Sequence, residues 1–340
     1  MSNLVSTPVS AKPAQAQRAV DTVPVSNYTP AGFARFLAAK MVAFAMLPEG
    51  GDIRILDPAV GDGVLLHALV SSLPEQLWPR LQVFGFDANA EAIRIAASRL
   101  HRAYPAVGIH LEHEDFLAHL IEAGDAENLF ADLDANTTFH FIIANPPHVR
   151  TRLMAEDETG RLAEHFGLTG SVDLYLPFLL GIAEVLAEDG TAGIIIDNSD
   201  LTSPAGQSVR EALLTRFRLR QVWDLDDTAL FDADAAPSVL VANGRMRTAV
   251  SGPAPSIPHA AISRTDVPAQ AQADDLLAAF DAADDTVVAL ADGRRFRVRH
   301  GLVKNGDDLQ AAWHMQYRSD GSDSSTGSTS AAADADIGKL

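Results

Sequence analysis

Short apolar runs alternate with helically periodic segments through most of this 340-residue chain. Five runs have the length and composition of strands buried on both faces: RILDPA, LQVFGFD, VGIHLEHED, FHFIIANPP and GTAGIIID. Three segments between them have the period of amphipathic helices: GVLLHALVSSL, NAEAIRIAASRLHRAY and LPFLLGIAEVLAE. RLRQVWDLD and PSVLVANGRM predict two further strands, joined by a loop. This alternation predicts an α/β fold with a mostly parallel, doubly wound sheet that binds its ligand at the carboxyl ends of the strands.

The two ends of the chain lack this pattern. Residues 1–26 are rich in Ser, Ala, Pro and Gln without periodicity, which predicts a flexible N-terminal arm. The regular pattern occupies residues 27–250 and leaves 251–312 as a C-terminal extension. Residues 313–340 end in low-complexity Ser, Asp and Ala sequence, so we expect a disordered acidic tail.

Composition excludes several classes of function. The chain has no cysteine, which rules out disulfides, thiolate zinc sites and cysteine nucleophiles, and its histidines lack a metal-ligand spacing. We therefore expect no metal. Apolar stretches all fall short of the roughly 18–20 residues of a membrane span, and the N-terminus lacks a signal pattern. These features predict a cytoplasmic protein without a membrane partner.

The net charge of −19 bears on any nucleic-acid partner. Phosphate neutralisation by basic side chains supplies most nonspecific affinity for nucleic acid, so an acidic chain should bind DNA weakly and in a salt-sensitive way. Of the 26 basic residues, four are Lys and 22 are Arg. Any polyanion would therefore have to bind at local clusters of arginine. The acidity itself could simply reflect solubility or a bias in genome composition, without any functional meaning.

The first predicted strand runs into the glycine-rich loop DPAVGDG (57–63) and then a helix. Gly61 and Gly63 allow close backbone approach to a ligand, but the loop departs from the dinucleotide pattern G-x-G-x-x-G. Asp57 and Asp62 would repel a pyrophosphate and attract a cation, such as the sulfonium and amino groups of S-adenosyl-L-methionine. A purely structural turn is the alternative.

The next two strand ends each carry an acid as well. In GFDANAEAI, Asp87 stands about 25 residues after the loop, where a carboxylate can accept ribose hydroxyls. In HEDFLAHL, Asp115 could accept from an exocyclic amine and Phe116 could offer its face to an adenine ring. Each acid, taken alone, could instead be a helix N-cap.

The fourth strand ends in ANPPH. Pro146 and Pro147 fix the local backbone and donate no N–H, so carbonyls are left as acceptors. The Asn145 side-chain oxygen and a proline carbonyl could then accept from one NH2 group and favour attack of its nitrogen on a methyl group held in line. The ring of His148 could stack on the base that carries this amine. The alternative is a rigid exit from the strand with no chemistry.

Together these motifs resemble the γ-type amino-methyltransferases, which modify adenine N6 in DNA within restriction–modification and phage-defence systems. The likeness runs from about residue 27 to 247 and could extend to residue 308. It covers, in the order of the family, NYTPAGFARFLAAKMV, DPAVGDG, FGFDANA, EDF, NPPH, DLYLPFLLGIAEVLAEDGTAGIIIDNSDL and ALFDADAAPSVLVANG.

The resemblance implies a Rossmann-like class I S-adenosylmethionine-dependent methyltransferase fold, with a mostly parallel seven-stranded sheet and an antiparallel terminal strand. Residues 27–250 would be the catalytic domain, acting on an adenine flipped out of DNA. The residues implied as catalytic are Asn145, Pro146, Pro147 and His148. Those implied in cofactor binding are Tyr28, Thr29 (at the methionine part), Asp57, Pro58, Ala59, Gly61, Gly63, Asp87, Ala88, Asp115, Phe116 and Asn145. Those implied in substrate binding are His148, Tyr175, Phe178, Phe231, Arg150 and Arg152, with His148 and Phe231 on opposite faces of the base.

The chain departs from the family pattern at residue 148 and in its C-terminal part. His148 replaces the usual Tyr, Phe or Trp, and a protonated imidazole would repel a cationic cofactor, so activity should fall toward pH 6. Residues 294–308 resemble the opening of a target-recognition domain, and the alternating Arg295, Arg297 and Arg299 could meet phosphates. Because the predicted disordered tail follows these residues almost at once, target recognition would reside on a separate specificity or restriction subunit, or the chain would no longer read sequence.

Two other functions stay open on the sequence. The same acceptors could hold an amine of RNA or the amide of a protein glutamine, which would make the chain an RNA or protein N-methyltransferase. Alternatively, the chain could be a non-catalytic or partner-dependent methyltransferase-like subunit of a defence complex. His148 favours this last reading, whereas the intact Asn-Pro-Pro motif opposes it.

Overall fold

The computed structural model describes residues 29–123, 138–147, 156–168, 175–225, 237–245, 256–304 and 313–317. The predicted N-terminal arm lies outside these ranges, as does most of the predicted tail. The loop predicted between the last two strands of the regular pattern, at 226–236, also lies outside them.

Eight α-helices occur in the described ranges. They are α1 (Ala31–Phe44), α2 (Val64–Ser72), α3 (Ala90–Ala103), α4 (Phe116–Ala123), α5 (Glu156–Phe166), α6 (Tyr175–Val185), α7 (Asn198–Thr202) and α8 (Gln207–Arg216). Twelve strands occur there too. They are β1 (Ile53–Asp57), β2 (Leu81–Phe86), β3 (Gly108–Glu112), β4 (Phe139–Ala144), β5 (Leu186–Asp197), β6 (Phe217–Asp224), β7 (Pro237–Arg245), β8 (Ile257–Arg264), β9 (Ala271–Ala273), β10 (Thr286–Leu290), β11 (Arg295–Lys304) and β12 (His314–Tyr317).

The first seven strands form the predicted α/β sheet. Their spatial order is β3-β2-β1-β4-β5-β7-β6. Strands β1 to β5 pair in parallel, and β7 lies antiparallel between β5 and β6. The order of the central strands turns back between β1 and β4, so the carboxyl ends of these two strands flank the crevice where open α/β sheets bind ligands.

Strand β4 shows why these apolar runs form central strands. Phe141 and Ile143 face one hydrophobic core, which includes residues of α1, α2 and α3, and Ile142 and Ala144 face the other, which includes α4 and α6. All four side chains are buried, at 0–1% exposure. Because successive residues of a strand point to opposite faces, only a continuous apolar run can fill both cores.

Strand β3 differs from its prediction. It is the edge strand of the sheet and pairs with β2 alone among the described strands. Its residues are half-buried or exposed. Burial on both faces was therefore the wrong prediction for this run, because an edge strand lacks a neighbour on one side and is covered less completely.

Strands β8 to β12 lengthen the same sheet beyond the predicted seven strands. β8 pairs in parallel with β6, β11 pairs antiparallel with β8, and β10 and β9 follow. The prediction that the disordered tail begins at residue 313 is wrong. Trp313 is 1% exposed, and its backbone N–H donates to the carbonyl of Leu201 at 3.0 Å. The strand β12 that follows pairs with β11. A buried tryptophan and a paired strand therefore place residues 313–317 in the fold.

The C-terminal extension packs against the first helix through the short helical turn Ala278–Asp281 between β9 and β10. The ring of Phe36 in α1 lies 5.6 Å from the ring centroids of both Trp223 and Phe280. Lys40 Nζ lies 2.8 Å from Asp281 Oδ1. Of the helices in the described part of the chain, none is both long and apolar enough to span a bilayer. Helix α1 thus joins the extension to the sheet that carries the predicted site.

Candidate functional site

The glycine-rich loop joins β1 to α2 in a conformation that requires its glycines. Gly61 and Gly63 have φ of 52° and 78°, the left-handed region that other residues rarely adopt. A Cβ on Gly63 would also lie 3.0 Å from the Cβ of Ala96. Backbone bonds fix the loop to the next strand, since the N–H of Val60 donates to the carbonyl of Phe86 at 2.8 Å. Close packing of α2 on α3 and the left-handed turn both exclude side chains here.

Asp57, at the end of β1, is a buried acid with spare acceptor capacity. Its side chain is 0% exposed, and its Oδ1 accepts the N–H of Ala59 at 3.0 Å. Its Oδ2 is buried without a hydrogen-bond donor among the described residues. Burial raises the pKa of this carboxyl to about 8; the Ala59 N–H opposes the rise, and the Asp87 and Asp62 carboxylates add to it. A cationic ligand would relieve both the burial penalty and the repulsion.

Asp62 does not share that arrangement. Its Oδ2 lies 2.9 Å from Arg99 Nη1, and its Oδ1 accepts the N–H of Val64 at 3.2 Å. The carboxylate therefore holds the start of α2 and pairs with α3. This contact does not support the expectation that Asp62 attracts a cationic ligand, because its charge is already matched by an arginine.

Asp87 connects the second strand end to the glycine-rich loop. Its Oδ2 accepts the N–H of Gly61 at 2.8 Å, and its Oδ1 accepts the N–H of Asn89 at 2.8 Å. The side chain is half-buried and the neighbouring Ala88 is exposed. Each carboxylate oxygen can accept a second hydrogen bond. Asp87 is thus held beside the loop in a position where it can also accept from a ligand.

Asp115 and Phe116 have structural partners at the third strand end. Asp115 Oδ1 accepts the N–H of Ala118 at 2.9 Å, which is the N-cap role that the sequence left open. Phe116 is 1% exposed, and its ring centroid lies 6.0 Å from that of Phe178. A flat contact with adenine would require the Phe116 ring to move out of this core. Their predicted contacts with a cofactor stay predictions.

Tyr175 and Phe178, on α6, are also core residues. They are 2% and 3% exposed, and the Tyr175 hydroxyl donates to the carbonyl of Ile195 at 2.9 Å. Burial raises the pKa of Tyr175 well above its ordinary value, and the Asp200 and Asp197 carboxylates add to this. The structure thus places Tyr175 beneath the carboxyl end of β5, where its contact with a substrate base stays a prediction.

Asn145 emerges directly after β4, half-buried. Its Nδ2 donates to Thr29 Oγ1 at 3.1 Å, and Thr29 is 7% exposed just before α1. With the nitrogen turned to Thr29, the Oδ1 keeps its acceptor capacity, and no donor from the described residues occupies it. Pro146 is buried and Pro147 half-buried, and neither has an N–H to donate. The strand end therefore presents oxygen acceptors.

Asp57 and Asn145 lie at the same edge of the sheet. Leu56 of β1 pairs with Ile142 of β4 in parallel register, so Asp57 is level with Ile143 and Asn145 follows just beyond. Asp57, which is expected to bind a cationic cofactor, and Asn145, which is expected to bind an amine, thus occupy adjacent strand ends.

Five predicted site residues lie outside the described residues: Tyr28, His148, Arg150, Arg152 and Phe231. Within the described ranges, no three His, Cys, Asp or Glu side chains form a group that could hold a metal ion.

Sequence comparison identifies proteins that are similar to this chain. Residues 81–231 match the Eco57I restriction-modification methylase family. The type II methyltransferase M.BanIII of Aneurinibacillus aneurinilyticus is 30% identical over 239 residues, which make up 68% of this chain and 40% of that relative. The chain thus spans about two fifths of the length of that curated relative. The resemblance predicted from the motifs is confirmed at this level: over the matched region the chain is similar to restriction–modification methylases.

Structural comparison supports the fold. A class I S-adenosylmethionine-dependent methyltransferase of Listeria monocytogenes superposes with a TM-score of 0.53 at 19% identity, covering 71% of this chain and 68% of that one. A modification subunit of a type I restriction enzyme from Vibrio vulnificus gives 0.52 at 20% identity, covering 69% of this chain and 46% of that one. The predicted class I methyltransferase fold is confirmed.

Proposed function

We propose that this chain transfers a methyl group from S-adenosylmethionine to the N6 amine of an adenine flipped out of DNA, within a restriction–modification or phage-defence system. One observation carries the proposal. At the carboxyl edge of β4, the Asn145 amide is oriented by Thr29 so that its oxygen is left to accept from an amino group, beside the buried acid of β1.

The residues of the glycine-rich loop fit the cofactor. S-adenosylmethionine, when bound, supplies an electrophilic methyl group on a sulfonium and carries an ammonium group. The buried Asp57 Oδ2, which lacks a donor among the described residues, offers such a cation a partner. Gly61 and Gly63 leave the backbone accessible, and Asp87 has acceptor capacity for ribose hydroxyls. Thr29, implied by the resemblance at the methionine part, contacts Asn145 in this structure.

The strand end at Asn145 would activate the amine. Its Oδ1 and the Pro146 carbonyl would accept hydrogen bonds from the two N6–H groups, which favours localisation of the nitrogen lone pair for direct attack on the methyl carbon. The N6 amine, held by Asn145 and Pro146, would exchange one proton, released to solvent, for the methyl group that bound S-adenosylmethionine would supply. Since the Asn145 amide is held by Thr29 before the reaction, it needs little reorganisation during it.

Base flipping brings the adenine to this edge. Extruding a base from duplex DNA costs a few kcal/mol. Stacking against His148 on one side and Phe231 on the other would return roughly 1–3 kcal/mol for each contact. Arg150 and Arg152, which follow the Asn-Pro-Pro motif, would contact phosphates. These four residues lie outside the described ranges and enter the proposal from the sequence alone.

We infer that a separate specificity or restriction subunit is a partner of this chain. A structural neighbour that is a modification subunit of a type I restriction enzyme supports this proposal.

A parallel methylation assay tests the proposal. The purified chain is incubated with S-adenosylmethionine labelled on its methyl group and with DNA, RNA or protein from cells that lack this gene. We expect label on DNA, released as N6-methyladenine upon nuclease digestion. Label on RNA or protein instead would overturn the assigned substrate. Absence of label from all three, with or without cell extract as a source of partners, would favour a non-catalytic subunit.

A further inference from the structure

A groove between helices α2 and α3 lies apart from the edge where Asn145 emerges. It has a volume of about 450 Å³. Its polar lining consists of His67, Arg94, Ser98, Arg99 and Arg102. The last four lie along one side of α3, because residues three and four apart share a helix face. The groove has the size of the sites that bind small molecules.

The charge of this groove runs against that of the chain. Three of the 26 basic residues line it, although the chain carries a net charge of −19. Arg94 is paired with Glu91 and Arg99 with Asp62, whereas Arg102 has no carboxylate partner among the described residues. Arg102 Nη2 donates to Ser98 Oγ at 3.3 Å. One positive charge is therefore left over in the groove.

The arginines also retain hydrogen-bond donors. Each guanidinium has five N–H donors in a planar fork, a geometry that matches phosphate oxygens. The bonds found for Arg94 and Arg102 use only some of these donors. His67 adds a neutral ring, since burial and then the charge of Arg99 lower its pKa. The lining thus combines surplus donors, a surplus positive charge and no surplus acid.

We propose that this groove binds the phosphate group of a small ligand or of a nucleic-acid strand. A phosphate would take the free donors of Arg102 and Arg94, with the Ser98 hydroxyl as a further donor. Arg99 would connect such a ligand to the glycine-rich loop, because its guanidinium already pairs with Asp62 between Gly61 and Gly63. The proposal stands independently of the methyl-transfer reaction.

Titration calorimetry with three probes tests the site: pyrophosphate, adenosine monophosphate and a short DNA duplex. The full chain should bind at least one of them at low salt. Arg102→Ala should weaken that binding about tenfold, as expected for loss of one charge-assisted contact. Alanine preserves the helix, so this exposed substitution should leave the fold intact.

Arg216→Ala is the matched control, because it removes an exposed arginine from α8, away from the groove. It should change the affinity less than about twofold, since a distant exposed charge is screened by salt. Pyrophosphate that displaces DNA would identify a backbone phosphate as the ligand, and binding of the small probes without DNA would identify a free phosphate compound. The site is disproved if no probe binds, or if both variants weaken binding equally.

Discussion

The side-chain amide of Asn145 donates a 3.1 Å hydrogen bond to the hydroxyl of Thr29, a residue 116 positions earlier in the chain. This contact joins the segment before α1 to the end of β4. In this orientation the amide nitrogen is held by Thr29 and the amide oxygen is left to accept from a ligand.

The first prediction concerns this orientation. Thr29→Val keeps the shape of the side chain and removes the hydroxyl, so the Asn145 amide should lose its fixed rotamer. We expect single-turnover methyl transfer to slow about threefold to tenfold, the scale of one hydrogen bond, with cofactor affinity little changed. Thr29→Ser, which keeps the hydroxyl, should react close to normally. Weaker cofactor binding with unchanged turnover would instead place Thr29 at the cofactor.

The second prediction follows from the raised pKa of Asp57, about 8 in the folded protein against an ordinary value of 3.8. Between these pH values the folded state holds a proton that the unfolded state has released, so the free energy of unfolding should fall as pH rises. Asp57→Asn cannot ionise and should lack this slope. The free energy of unfolding of Asp57→Asn, relative to that of the wild type, should therefore increase between pH 5 and pH 8 by on the order of 3 kcal/mol.

Urea unfolding at several pH values measures this difference, with Asp52→Asn, a change at an exposed carboxylate, as the control. The same Asp57→Asn protein should bind S-adenosylmethionine at least about tenfold more weakly, because an amide cannot neutralise a cation. Parallel pH curves for variant and wild type would show that Asp57 ionises freely in the folded chain.

The third prediction tests the glycine-rich loop. Gly63→Ala places a Cβ 3.0 Å from Ala96 in a residue with φ of 78°, so the cost should be about 1–3 kcal/mol of stability. Gly50→Ala is the matched control, since nothing lies within 4 Å of its Cβ position. Equal thermal stability of the two variants would mean that the loop adapts without strain.

The fourth prediction tests whether the C-terminal extension folds together with the α/β sheet. Phe280→Ala should lower the free energy of unfolding by about 3–5 kcal/mol, because Phe280 is 3% exposed and packs on Phe36 of α1. Val267→Ala, at a side chain 42% exposed, should cost less than about 0.5 kcal/mol. A small loss for Phe280→Ala would indicate an independently folded extension.

Local pattern was enough to predict the central sheet. The runs that became β1, β2, β4 and β5 are apolar throughout because they face two cores, and a strand-end acid or amide is visible directly in the sequence. For the same reason the positions of Asp57, Asp87 and Asn145 at strand ends were predictable from the residues around them.

Long-range contacts were not predictable in this way. The Thr29–Asn145 and Asp62–Arg99 pairs depend on how distant segments come together, and no local period signals them. An aromatic residue after a strand has the same local sequence whether it packs in a core or stacks on a base, so the burial of Phe116 could not be foreseen. The buried Trp313 stands next to low-complexity sequence, which concealed the last strand.

The most direct test of the central claim is the single-turnover rate of methyl transfer to DNA by Asn145→Ala, measured beside its affinity for S-adenosylmethionine. Loss of a fixed acceptor for the reacting amine should slow transfer by about a hundredfold to a thousandfold. Cofactor affinity should stay within about threefold, because the groups assigned to the cofactor cation lie on another strand end. A variant that methylates DNA at the wild-type rate would contradict the account.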